Sequence, residues 1–200
     1  MNVENVNIEQ GFPQDGPKIS FLEAFHGVLF TPKRTFNDLY TEDTFTVIVY
    51  GTLAVFLSNL GKLEPGNISI LNIVGVEIIG FISWFLVGLL LFFFSTVFKT
   101  PNSNLARLLG FTGLSSIPFL LMSPVNLISN LSPGIFQVLE IIASVWAFIL
   151  FWIALAKSFQ LEAWRVLLMA IVPFLIGLFL FTFLLANIVG FLLSGVLFKR

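Results

Sequence analysis

Apolar and polar positions change character near Thr44. Beyond it the chain is a series of long apolar stretches, residues 44–60, 70–98, 105–128, 135–156 and 166–198, separated by short polar breaks. A helix needs about 20 apolar residues, within a range of about 17–25, to cross a bilayer. Each stretch meets that length, so the pattern predicts five transmembrane helices. The third contains Pro118 and Pro124. The last would run about 50 Å as one straight helix, against a hydrocarbon core of about 30 Å. Tilt or a kink at Pro173 absorbs the excess, and a broken or re-entrant last segment stays open as an alternative.

Before Thr44 the pattern is different. Residues 1–19 are polar, with Glu4, Glu9 and Asp15, and read as a flexible tail without the apolar core of a signal peptide. Ser20 and Glu23 fit a capping box, in which hydroxyl and carboxylate each satisfy a free backbone N–H. Phe21, Leu22, Phe25, Val28 and Leu29 then recur at helical spacing. Thr31-Pro32 restarts the pattern, since proline suits the first position of a helix. Phe36, Leu39 and Tyr40 follow, with Lys33, Arg34 and Asp38 between them. Residues 20–43 are too short and too charged to span. They predict an amphipathic helix pair in the membrane interface, anchored by Phe21, Phe25, Leu29 and Phe36, with Lys33 and Arg34 toward the headgroups. The expected fold class is all-α: a polytopic bundle of five spans over residues 44–198, preceded by this pair.

Composition sharpens the picture. The chain is 57% hydrophobic and 10% charged, with 25 phenylalanines, where soluble domains carry about 25% charge. A net charge of −1 offers nucleic acid no electrostatic footing. No cysteine is present and His26 is the single histidine, so thiolate chemistry and multi-histidine metal sites are excluded. No catalytic constellation, metal site or cofactor is expected. Across five spans, Lys18, Lys33, Arg34, Lys99, Arg107, Lys157 and Arg165 share one side, and Lys62, Lys199 and Arg200 the other. The positive-inside rule then puts the N-terminus in the cytoplasm. Arg107, Lys157 and Arg165 fall near the cytoplasmic ends of their spans and read as lipid-headgroup anchors.

Polar residues inside the spans are the remaining chemistry. Glu77 lies about 10 Å, and Glu140 about 8 Å, below the outer start of its helix, so the two share a depth. Gln137 is on the face of Glu140, and Asn126 and Asn187 come from the outer halves of spans three and five. Together they outline a cation or proton site. One alternative is that each carboxyl is protonated and bonded to an amide, joining helices; another is that the side chains reach the outer interface. Ala186, Gly190 and Ser194 form a small-residue stripe suited to close helix packing.

Three stretches carry a resemblance. They are Phe25-His-Gly-Val-Leu-Phe-Thr-Pro32-Lys-Arg-Thr-Phe36 before the first span, Leu109-Gly-Phe-Thr-Gly-Leu-Ser-Ser-Ile-Pro118-Phe-Leu in the third, and Val145-Trp-Ala-Phe-Ile-Leu-Phe-Trp-Ile-Ala-Leu-Ala-Lys157 with Ala163-Trp-Arg165 after it. In this order they resemble the Yip family, five-span proteins named for interaction with Ypt/Rab GTPases. Asp38-Leu39-Tyr40 is similar to an acidic–leucine–tyrosine motif of eukaryotic members, but Thr41-Glu42 stands where Gly-Pro follows there. The long N-terminal region of those members is also missing, and both departures argue against small-GTPase binding. The chain looks more like a prokaryotic member.

The resemblance implies a non-enzymatic scaffold or adaptor in membrane organisation, trafficking or partner recruitment. The expected partners are membrane lipids and other membrane proteins or a second copy of the chain. The expected location is a bacterial plasma membrane, or an ER or Golgi membrane in a eukaryote. The competing reading is a small channel or transporter using Glu77 and Glu140. Topology is directly measurable: reporter fusions after Lys99 and Lys157 should read as cytoplasmic, and those after Pro65 and Ser132 as external. A cytoplasmic C-terminus would overturn the five-span order.

Overall fold

In the computed structural model the described residues are 19–61, 63, 69–100, 104–128, 132–162, 164–168, and residues 171, 172, 175, 179, 182 and 183 of the last apolar stretch. All regular structure among them is helical. Two short helices lead, α1 (Phe21–Phe30) and α2 (Pro32–Thr41). The capping box forms as expected: the Ser20 N–H donates to Glu23 Oε2 at 2.8 Å, and the Glu23 N–H to Ser20 Oγ at 3.3 Å. The backbone bond from Ser20, and then its hydroxyl, hold the Glu23 carboxyl below the ordinary glutamate value. Thr31 closes α1 by donating its N–H to the Gly27 carbonyl, and Pro32 opens α2.

The apolar stretches follow as α3 (Thr44–Gly61), α4 (Ile70–Val97), α5 (Leu105–Leu114), α6 (Met122–Ile128) and α7 (Pro133–Phe159). Four segments among the described residues are long and apolar enough to cross a membrane: Thr44–Gly61, Ile70–Val97, Leu105–Asn126 and Gly134–Phe159. Residues 164–168 are also helical. Most of the expected fifth span, including Pro173, Asn187 and the stripe of Ala186, Gly190 and Ser194, lies outside the described residues.

The third span departs from the single helix that its apolar pattern suggests. α5 ends at Leu114, a 3-10 turn covers Ile117–Leu121, and α6 resumes at Met122. Pro118 has no N–H to give to a helical ladder. Two serines occupy the break, their hydroxyls donating to the carbonyls of Thr112 at 2.6 Å and Gly113 at 2.7 Å. Such local bonds offer the backbone an alternative to the helix.

Burial identifies the centre of the bundle. Every residue from Leu108 to Leu114 is buried. α4 and α7 instead turn wide apolar faces outward, with Ile78, Ile82 and Phe85 on one and Ile141, Val145 and Phe148 on the other. Lipid is the solvent that tolerates such faces, so the chain is a multi-pass membrane protein with α5 innermost.

The contact that sets this arrangement is between α3 and α5, and it runs backbone to backbone. A Cβ at Gly51 would fall on the Gly110 carbonyl, and one at Gly110 would lie 2.6 Å from the carbonyl oxygen of Val47. Gly113 packs on Gly51 in the same way. Small residues allow this approach, which is the usual device of helix pairs in lipid. Gly110→Ala should destabilise the protein in detergent by about 1–3 kcal/mol, because backbone cannot move aside as a side chain can. Gly75, where an added Cβ meets nothing within 4 Å, is the control. Gly75→Ala should leave thermal unfolding unchanged or slightly raised, since alanine is the better helix former.

Candidate functional site

Two features hold the candidate chemistry: the α1–α2 pair at the basic end of the bundle, and the polar residues between spans. The pair is built onto the protein. Phe36 and Leu39 of α2 are completely buried, as are Ala24 and Val28 of α1. The Phe36 ring meets Phe111 of α5 edge-on at 5.2 Å, and Tyr40 stands 6.5 Å from the same ring. α1 is tied down at its start, where the Tyr50 hydroxyl of α3 donates to the Ile19 carbonyl at 2.8 Å. The Ile19 N–H donates to Glu42 Oε1 at 3.1 Å. The two short helices touch through Gly27, where a Cβ would displace the side chain of Thr35.

Among the expected interfacial anchors, Phe36 therefore spends its apolar surface inside the protein. Its ring fills the bundle core, and that placement corrects its assignment to the headgroup boundary. An amphipathic stripe reads the same whether its burial comes from protein or from lipid. Phe21, Phe25 and Leu29 are half-buried; Phe21 packs on Tyr50 at 5.5 Å. Lys33 and Arg34 are exposed, and Arg34 Nε pairs with Asp38 at 3.7 Å. The large apolar residues that do face outward are Leu22 and Phe30, 75% and 69% exposed. The His26 ring lies 4.7 Å from that of Phe30. Leu22, His26 and Phe30 recur every four residues, so this second stripe was visible in the sequence.

The polar residues of the spans join helices. Glu77 is 9% exposed and faces α3, where Asn59 Nδ2 donates to its Oε2 at 3.3 Å. Gly80, one turn along α4, makes room for Asn59, because a Cβ there would land on the amide. Asn126 donates to the carbonyls of Gly61 at 2.9 Å and Leu63 at 3.4 Å, capping the open end of α3. Ser58 donates to the Ser116 carbonyl at 2.8 Å, and Trp84 Nε1 to Thr112 Oγ1 at 3.3 Å. Between α3, α4, α5 and α7 lies a cleft of about 500 Å³ lined by Val55, Asn59, Gly80, Trp84, Thr112 and Phe151.

Glu140 and Gln137 lie elsewhere. Both are exposed on α7 and make no hydrogen bond or ion pair among the described residues. Common depth is thus not a common face: Glu77 turns into the bundle toward α3, and Glu140 turns out. Asn187 lies outside the described residues. Sequence reasoning missed Asn59, the amide that receives Glu77. Its signal was a lone amide near the end of an apolar span that must face inward to be satisfied.

A sequence model described as the Yip1 domain matches residues 27–184, from within α1 into the last apolar stretch. No curated protein and no solved structure matches the chain.

The Asn59–Glu77 pair is open to a double-mutant cycle. Asn59→Leu and Glu77→Leu should each lower the unfolding temperature, and the double variant should lose less than their sum, with a coupling of about 0.6–1.7 kcal/mol. Additive losses would mean that the two groups stabilise the bundle independently.

Proposed function

Because the chain belongs to the Yip family of membrane proteins, whose model covers residues 27–184, we propose that it is a non-enzymatic scaffold that recruits a protein partner to the membrane. The observation that carries this reading is the docked α1–α2 pair. A short amphipathic segment that is free in lipid offers no fixed shape. This one is held by the burial of Phe36 and Leu39 and by the Tyr50–Ile19 bond, so its outer surface is a preformed platform. Preorganisation favours binding because little ordering is left to be done on association. The exposed charges of Lys33, Arg34 and Asp38 give that surface polarity for selecting a partner. The platform lies at the end of the bundle rich in Lys and Arg, which the positive-inside rule assigns to the cytoplasm, and a bacterial plasma membrane is the setting we favour.

The placement of Glu77 and Glu140 on different faces gives the channel reading no support, so we do not adopt it. Crosslinking in native membranes followed by purification tests the scaffold. Native chain should yield a reproducible protein adduct. Lys33→Glu with Arg34→Glu should abolish it while leaving membrane insertion intact, since neither side chain is packed. Turnover of a lipid or soluble substrate by the purified protein, abolished by a point substitution, would overturn the proposal.

A further inference from the structure

We propose that Arg107 and Lys157, gathered around the ring of Tyr40, form a binding site for a phosphate group at the basic end of the bundle. The three residues come from α5, α7 and α2, which only the fold brings together. The guanidinium carbon of Arg107 lies 4.5 Å from the centre of the Tyr40 ring, and Lys157 Nζ lies 5.2 Å from it. The two positive charges are thus no farther apart than about 10 Å, the Debye length at 0.1 M salt, so each feels the other.

An aromatic face attracts cations but does not neutralise them. Neutralisation needs an anion, and none of the described residues supplies one in an ion pair. Neither Arg107 nor Lys157 forms an ion pair among the described residues, where the one ion pair is Arg34 with Asp38. The three carboxylates nearest in sequence to Tyr40 have other work, Asp38 beside Arg34 at 3.7 Å. Glu42 Oε1 accepts the Ile19 N–H at 3.1 Å, and Asp43 Oδ2 accepts the Phe45 N–H at 3.0 Å. Arg107 is also incompletely satisfied. It donates from one terminal nitrogen to Thr44 Oγ1 at 3.2 Å, while its Nε is buried without a hydrogen-bond partner. Buried donors are costly to leave unmade.

The chemistry that answers this arrangement is a phosphate. Its oxygens match the forked geometry of a guanidinium, and a lysine adds a point charge. The position fits as well. Arg107 lies in the first turn of α5, Lys157 in the last turn of α7, and Tyr40 in the last turn of α2, all at one end of the spanning segments. Lipid headgroup phosphates occupy that level of a bilayer, and soluble phosphate compounds reach it from the water. Both sources share the recognised group.

Purified full-length chain in mild detergent, titrated with short-chain phosphatidylglycerol and separately with inorganic phosphate, tests the site by native mass spectrometry. Phosphatidylglycerol adducts should form on the native chain. Arg107→Gln and Lys157→Gln should each weaken them about fivefold, the worth of one basic residue near a charged headgroup. Arg165→Gln should weaken them clearly less, because Arg165 is exposed and stacks on its neighbour Trp164, away from the Tyr40 ring. Competition by millimolar inorganic phosphate would make the natural ligand a soluble phosphate; lack of competition would make it a lipid. The site is overturned if neither probe binds, if Arg107→Gln and Lys157→Gln retain full adducts, or if Arg165→Gln loses as much. Should a variant fail to fold, a photoactivatable phosphatidylglycerol on the native chain decides the matter. Labelling should fall on α2, α5 and α7 near these residues, and labelling elsewhere refutes the assignment.

Discussion

The glycine contact between α3 and α5 is the constraint from which the rest of the bundle follows. Gly51, Gly110 and Gly113 let two helices meet backbone to backbone. In lipid there is no hydrophobic drive between helices, so close packing and interhelical hydrogen bonds must supply the association. With α5 pressed against α3, its remaining faces are available to other elements. Phe111 becomes the floor under α2, Thr112 meets Trp84 of α4, and Arg107 reaches Thr44 at the start of α3. A chain with side chains at these three positions would push α5 outward and separate all of these partners.

Much of this fold could be read from the sequence, because its signals are local. Apolar run length located the four spans of the described residues to within a few positions at each end. The capping box at Ser20 and the helix restart at Pro32 depend only on neighbouring residues, and both formed. The break after Leu114 was harder to see. Pro118 marks the region, but the break itself also involves Ser115 and Ser116, which turn their hydroxyls onto the carbonyls three residues before them.

What the sequence did not determine is rotation about each helix axis. In a soluble protein the polar face marks the outside. In a membrane both faces of a span can be apolar, and the pattern loses its phase. Glu77 and Glu140 therefore looked equivalent at equal depth, although one is turned to Asn59 and the other away from the bundle. The same ambiguity affected Phe36, whose stripe on α2 gave no sign of whether protein or headgroups would cover it. Its partner, Phe111, lies in a different span, and only the tertiary fold pairs them. The Yip resemblance, by contrast, needed no rotation, because it rests on the order of segments along the chain.

The burial of Phe36 against Phe111 also has a bearing on synthesis. The floor of the α1–α2 platform is 75 residues downstream of the residue that rests on it. While the chain is being made, α2 leaves the ribosome with its apolar face uncovered and must wait through two complete spans. During that interval the membrane surface is the nearest apolar refuge, and the amphipathic character of α1 and α2 suits them to it. The floor that covers α2 exists only once α5 has been made, so the docked pair is completed after the third span and not before it.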